Sequence, residues 1–463
     1  MSRGLESSSA AIKALLPLSP APQPCSQDLK RGKKLKLFVY GLAWGYAGQI
    51  VEYVEGRARS LLRVRCSYLR EDTCPNTGFS HLENLRSHCT DVPIMYKLLQ
   101  SATIEPDPSK ADVFLVPFLM GCNAMLGWGH GMQRVNAREH HAFFGDFKSF
   151  ARKQLPHFAK WPHRHLFLFP LDSMFAPRWL LPSMVAHTGS GYTTAGLDVT
   201  VPYLVSLPPQ PKNADLAPRK RFVFLMASPS RNLVRTELAA QLRVATTRMQ
   251  SDASAPKVEL YETDPSKENA MPLSASETMA RMRDTTFCVA PTGDSDGFTQ
   301  RFYYILAAGC IPVRVDTYYS NYSFGRVAWP FKQTIQWRKA AILLPPHKLR
   351  RDGLIPTLLN VSQTRIASMQ RYIREVARPH TLFDYRGRHP DAFSAFLDEL
   401  IHLSKTRLPK YDRQRVNGGA VGKGKGGGKR RAAAGDRPPM CEAVPHWLPG
   451  HQKNGVLGGL CKK

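Results

Sequence analysis

The sequence predicts an α/β protein built on two parallel sheets. Three features carry the expectation. The strand-length apolar runs, such as those in "DVFLVPFLM" and "RFVFLMA", are continuous rather than alternating, as in strands covered on both faces. Helical stretches fall between these runs, as crossovers between parallel strands require. A Pro- and Lys-rich segment, "SLPPQPKNADLAPRK" at 206–220, divides the series in two as a linker.

Residues 1–33 are rich in Ser, Pro and Ala and are expected to be disordered. The first unit, 34–205, opens with the strand "KLKLFVYGL" (34–42), which ends at a turn-prone Gly. "VPIMYKLLQSAT" (92–103) has helical spacing, and "DPSKADVFLVPFLM" (107–120) reads as a turn followed by a buried strand. "EHHAFFGDFKSFARKQL" (139–155) is a helix, and "RHLFLFPLD" (164–172) and "GLDVTVPYLV" (196–205) are strands. The second unit, 221–409, starts with the strand "RFVFLMA" and the helix "SRNLVRTELAAQLRVATTRM". The strand "KVELYET" follows, then a helix in "SASETMARMRDT" with Ser276 as its cap. "TFCVAP", "CIPVRVD" and "AAILLP" are strands, with the helix "TQRFYYILAAG" between the first two. Two helices, "QTRIASMQRYIREVARPHTLFDY" and "PDAFSAFLDELIHLSKT", close the unit. From 410 to 463 the chain is Gly-, Lys- and Arg-rich without helical or strand period, and a disordered tail is expected.

The chain has 463 residues, enough for two domains, and a net charge of +28. Residues 416–437 account for only +5 of this, so most of the excess lies on the folded part. Such a field attracts polyanions and nucleotide diphosphates without choosing among them. There are nine cysteines, with no CxxC pair and no Cys/His set at zinc spacing, so no metal site is predicted. Cys66, Cys74 and Cys89 cluster, and disulfides within that cluster are the expectation for a chain matured in a secretory compartment. The N-terminal patch "AAIKALLPLSPAPQP" is broken by Lys13 and Pro17 and makes a poor signal peptide or anchor.

The stretch with most chemical content is "FCVAPTGDSDGFTQRFYYILAAGCIPVRVD", 287–316. An apolar strand delivers the chain to a polar loop that includes Gly293 and Asp294. A helix then starts near Thr299, which brings unpaired backbone N–H groups and a positive dipole end to the loop. Arg301 adds a fixed charge with planar donors in the first turn, a combination suited to a diphosphate. The structural alternative is an Arg that pairs with a carboxylate beside an ordinary loop.

This stretch resembles the exostosin-type glycosyltransferases, family 47, whose signature runs "FCL.P.G" to an Arg-bearing helix and then "GCIPV". The similarity extends over roughly residues 35–400 through "KLFVYGL", "DPSKADVFLVPF", "FPLDS", "GLDVTVPY", "RFVFLMASPSRNLVRTEL", "PFKQTIQW" and "MQRYIREVARPHTLFDY". The resemblance implies a GT-B fold, two Rossmann-like domains facing a central cleft, with an acceptor domain at 34–205 and a donor domain at 221–409. It implies inverting transfer from a nucleoside diphosphate sugar, with uridine diphosphate as the expected nucleotide, to a glycan or glycoprotein acceptor, without metal or other cofactor. It also implies a Golgi location, through an upstream membrane span or a retaining partner. Arg235 matches a second family Arg, on the helix after "RFVFLMA", from where it could reach the diphosphate; its competing reading is a surface Arg among many. Tyr304 stands where the family usually carries Asp or Glu for the ribose, and a phenol cannot make the bidentate carboxylate contact.

An inverting transfer needs a base within hydrogen-bond reach of the acceptor hydroxyl. Asp172, after a buried strand, is the first choice and His130, in "GWGHGM", the second. Asp112 reads as a strand-entry residue. Trp128, Trp329 and Trp337 are stacking candidates whose competing reading is core packing. Asn321 and Asn360 stand in glycosylation sequons. Two other functions remain open on the sequence. One is a catalytically inactive exostosin-fold subunit that supports a homologous glycosyltransferase, motivated by Tyr304. The other is a basic polyanion-binding protein, motivated by the charge; no specific nucleic-acid partner is expected.

Overall fold

The computed structural model describes residues 35–41, 89–122, 147–170, 180, 182–189, 196–205, 218–229, 233–250, 255–263, 273–292, 298–315, 327–383 and 390–418. The first sheet contains β1 (Lys36–Val39), β2 (Thr103–Ile104), β3 (Val113–Leu115), β4 (His165–Leu168), β5 (Met184–His187) and β6 (Val199–Thr200). All its pairings are parallel, in the order β2-β1-β3-β4-β5-β6. Its helices include α1 (Asp91–Ser101), which leads into β2, and α2 (Phe147–Gln154).

The second sheet contains β7 (Arg221–Ala227), β8 (Val258–Glu262), β9 (Thr285–Pro291), β10 (Ile311–Val315) and β11 (Ile342–Leu344). It too is wholly parallel, in the order β11-β10-β9-β7-β8. Three crossover helices serve it: α3 (Leu233–Gln250), α4 (Ala275–Arg283) and α5 (Gln300–Ala307). The helix α4 is capped by Ser274, not by Ser276. Ser274 and Glu277 form a reciprocal capping box, and Glu277 is the residue that selects the start.

In each sheet the order reverses once. The chain leaves β1 for β2 on one side and then places β3 on the other side of β1. It leaves β7 for β8 and then places β9 on the other side of β7. Such reversals open a crevice at the carboxyl ends of the two flanking strands, the place where parallel α/β sheets hold ligands.

After β11 come α6 (Pro346–Asp352), α7 (Leu354–Leu359) and α8 (Gln363–Tyr372). The last widens into a π-turn over Ile373–Ala377 before α9 (Arg378–Thr381). Pro379, which has no N–H to give to the preceding turn, accounts for this interruption of an otherwise helical sequence. The helix α10 (Ala392–Thr406) packs on α1 and β6 of the first sheet and on α9. Its buried Glu399 accepts the backbone N–H of Gln333 at 2.9 Å, and burial pushes that carboxyl up. Tyr203, beyond β6, meets Tyr303 of α5 with ring centres 6.1 Å apart. Both sheets fall within one compact unit, Met1–Leu408, and the rest of the chain, Pro409–Lys463, forms a second.

Three expectations need correction. Strands β2 and β5 escape sequence reading because each is short and lacks the long apolar run of its neighbours. Helix α11 (Leu408–Gly418) crosses the boundary expected at 410, because helix-compatible residues continue to Gly418. Cys89 pairs not within the 66–89 cluster but with Cys122, and Cys288 pairs with Cys310. The residues expected to form the linker, other than 218–220, lie outside the described set.

Candidate functional site

The two crevices differ in what fills them. In the first sheet, Cys89 at the start of α1 is covalently bound to Cys122, which follows β3. The buried carboxylate of Asp91 accepts the backbone N–H groups of Gly121 and Cys122 at 2.9 and 3.0 Å. Gly121 packs so closely on Pro170 that an added Cβ would lie 2.5 Å from its Cδ. Among the described residues, these acceptors and donors satisfy one another.

The second crevice gathers cations. The chain leaves β7 at Ala227 and enters α3, whose first turn carries Arg235. It leaves β9 at Pro291 and enters α5, whose first turn carries Arg301. Thr299 is the N-cap of α5, in extended conformation, and its side chain makes no capping bond. The positive end of the α5 dipole therefore opens beside Arg301. Arg235 Nε donates to the carbonyl oxygen of Thr292 at 3.2 Å, across the crevice from the helix that bears it.

Arg301 is half-buried as a residue, and its guanidinium is crowded by protein atoms. Burial, and after it the neighbouring Arg235 cation, push its pKa down to about 10. It thus remains a cation at neutral pH, and no carboxylate among the described residues pairs with it. The amino edge of the same sheet is a useful contrast. There Arg221 donates to Glu259 at 2.7 Å and pairs with Asp284, Arg281 donates to Glu259 at 3.1 Å, and Arg219 donates to the Gly309 carbonyl at 3.0 Å. Arginines in this domain are matched with acceptors at one edge, while Arg301 is held beside another arginine at the other. That arrangement suits an anion with several acceptor oxygens.

A rigid support lies beneath α5. The disulfide Cys288–Cys310 ties the middle of β9 to the entry of β10 and so brackets the loop and helix that carry Arg301. Gly309, at φ 71°, makes the left-handed turn from α5 into β10. Phe298, Phe302, Trp329 and Trp337 form an aromatic cluster, with the two indoles stacked 5.0 Å apart. The buried Arg314 guanidinium sits 3.9 Å from the Phe298 ring centre and adds a third cation near the carboxyl edge, one that sequence reasoning missed. Trp337 donates to the Pro330 carbonyl at 2.7 Å, so Trp329 and Trp337 follow the core reading rather than the stacking one.

Of the residues predicted for the site, Arg301, Arg235 and Thr299 are brought to one crevice. Tyr304 lies on the next turn of α5 and is buried. Gly293, Asp294, Asp172, His130 and Trp128 lie outside the described residues. Asp112 is a strand-entry residue, accepting the Lys36 backbone N–H at 2.9 Å. A further pair at the carboxyl edge of the first sheet went unforeseen: His187, which ends β5, has Nε2 3.4 Å from Asp198 Oδ2. Its side chain is wholly buried, which suits internal support. The signal for it was a strand too short to be read.

Comparison with known proteins places the Exostosin GT47 domain on residues 31–361. No curated protein matches the chain. Among solved structures, a chain of a GtfA/B complex is 11 % identical with a TM-score of 0.28, over 52 % of this chain and 57 % of that chain. Arabidopsis thaliana UGT89C1 complexed with quercetin is 9 % identical with a TM-score of 0.31, over 81 % of this chain and 100 % of that chain.

Proposed function

The chain belongs to the exostosin GT47 family, and on that premise we propose that it moves a sugar from a nucleoside diphosphate sugar to a glycan or glycoprotein acceptor, with inversion. The observation that carries the donor class is the meeting of Arg235 and Arg301 at the reversal point of the second sheet. A diphosphate brings negative charge to the two neighbouring guanidinium groups.

The chemistry follows from where charge develops. The acceptor oxygen bonds to the anomeric carbon as the bond from that carbon to the diphosphate breaks. The leaving diphosphate takes the electron pair, and its extra charge falls where Arg301, Arg235 and the α5 dipole are already oriented. Preorganised donors of this kind stabilise the transition state more than the ground state. In this proposal they do the work that a divalent cation does elsewhere, and activity is metal-independent. The acceptor proton passes to a base from the first unit, with Asp172 the first candidate and His130 the second. Uridine diphosphate is the donor nucleotide we favour.

A lumenal, Golgi-type location is part of the proposal. Its support is the two disulfides among the described residues, which persist in oxidising compartments. No helix among the described residues is long and apolar enough to cross a membrane, and retention by a partner or by a further segment remains to be tested.

A screen of sugar nucleotides with purified protein, reading transfer and hydrolysis in chelator, tests the proposal. Turnover of one donor supports it. Binding of uridine diphosphate without turnover favours the second reading, a non-catalytic subunit beside an active homologue, for which Tyr304 in place of a carboxylate is the motive. Loss of all turnover in chelator, restored by manganese, contradicts the metal-independent chemistry.

A further inference from the structure

We infer that Asn360 is an N-glycosylation site, carrying an oligosaccharide on the turn between α7 and α8. The inference rests on the lumenal location proposed above. The sequence supplies the acceptor pattern Asn360–Val361–Ser362, with no proline within or after it. A sequon alone is weak; its placement here is what carries the argument.

Asn360 ends α7 as its C-cap, at φ −75° and ψ −3°, and Ser362 is the N-cap of α8. Both are exposed. The backbone is held by bonds from Asn360 N to the Pro356 carbonyl at 3.3 Å and from Val361 N to the Leu358 carbonyl at 3.1 Å. The Asn360 carboxamide makes no hydrogen bond to the described residues. The turn therefore fixes the backbone and leaves the amide free of the fold. An oligosaccharide attached there displaces no contact. Neither α7 nor α8 carries a residue assigned to the diphosphate crevice among the described residues.

The neighbour of Asn360 strengthens the assignment. Leu359 is 52 % exposed, one of four large apolar side chains so exposed among the described residues. The apolar face of a first sugar ring on Asn360 covers this leucine and removes apolar surface from water. In the step itself, Asn360 Nδ2 bonds to the anomeric carbon of a lipid-linked diphosphate oligosaccharide. The bond from that carbon to the diphosphate breaks, the lipid diphosphate leaves with the electron pair, and the Nδ2 proton passes to the oligosaccharide-transferring enzyme of the secretory lumen.

The test expresses the full chain in eukaryotic cells behind a cleavable secretory signal, which imposes lumenal delivery. Peptide N-glycosidase treatment in ¹⁸O water followed by mass spectrometry reads occupancy at Asn360. We expect labelled aspartate at that position, and loss of one oligosaccharide in Asn360→Gln. Ser362→Asp should lose the same oligosaccharide while keeping an N-cap acceptor for Arg365 N, whereas Ser362→Thr should retain both. An unmodified Asn360 in molecules whose Cys288–Cys310 bond is oxidised overturns the inference and leaves the location intact. Location is tested separately on the protein tagged at its native locus: reduced cysteines and an unmodified Asn360 there count against the lumenal reading, while the signal-bearing chain still decides the site.

Discussion

Arg235 donates from Nε to the carbonyl oxygen of Thr292 across 3.2 Å, and so fastens the helix after β7 to the end of β9. The bond orients a guanidinium that also lowers the pKa of Arg301 by its charge. Replacing Arg235 with Ala removes both a cation and a tie. Uridine diphosphate affinity should fall about tenfold, the equivalent of one charge-assisted bond. Arg235→Lys should recover only part, since an ammonium lacks the planar fork. Calorimetric titration of the folded variants checks this; unchanged affinity in Arg235→Ala would remove that residue from the site.

The Cys288–Cys310 bond closes a loop with a sequence separation of 22 around the residues that carry Arg301. In the chain-entropy account, cross-linking a loop of that length contributes about 3 kcal/mol. The double variant Cys288→Ala/Cys310→Ala should show a lower denaturation midpoint by a corresponding amount and weaker nucleotide binding. Equal midpoints with and without reductant in the wild type would show that the bond contributes nothing.

Gly121 faces Pro170 with no room for a side chain. Gly121→Ala should destabilise by roughly 1–3 kcal/mol, the usual range for overpacking. Because Pro170 lies two residues before Asp172, activity is measured beside stability. A melting temperature equal to that of the wild type would mean that the loops after β3 and β4 part easily.

His165 illustrates a pH effect from a buried group. Its Nδ1–H donates to the Trp161 carbonyl at 2.8 Å, and its Nε2 accepts from the Tyr40 hydroxyl at 2.7 Å. Burial is the main reason its pKa is lowered to about 3. The unfolded chain binds a proton near pH 6.5 and the folded chain does not, so stability falls as pH drops from about 6.5 toward 3. The full effect is on the order of 5 kcal/mol. His165→Gln, which keeps a donor and an acceptor, should flatten that part of the stability profile relative to wild type. Parallel profiles would assign the acid sensitivity to other groups.

How much of this was legible follows from the length of each signal. Strands β7, β9 and β10 stand in the sequence as apolar runs bounded by polar loops, and their limits agree with the structure to within a residue or two. β2 and β5 are two and four residues long, and no period can be counted in so few. Arg301 and Arg235 were found because a motif and a helix start coincide there. Their meeting was expected only through the family resemblance; the residues alone do not show it, because it depends on β9 lying beside β7 on the side away from β8. The Cys89–Cys122 bond escaped for a related reason: its two cysteines lie on segments that only the reversal of the first sheet brings together.

The central claim is that Arg301 is held for an anionic ligand rather than for the fold. One variant, Arg301→Gln, measured two ways, tests it most directly. Burial and a like-charged neighbour act against the Arg301 cation in the ligand-free protein. Removing the charge should therefore leave the ligand-free melting temperature unchanged or raise it. The same variant should bind uridine diphosphate ten- to roughly a hundredfold more weakly, the loss of about 1.5–3 kcal/mol of charge-assisted contact. A lowered melting temperature together with intact uridine diphosphate affinity would contradict the account and return Arg301 to a structural role.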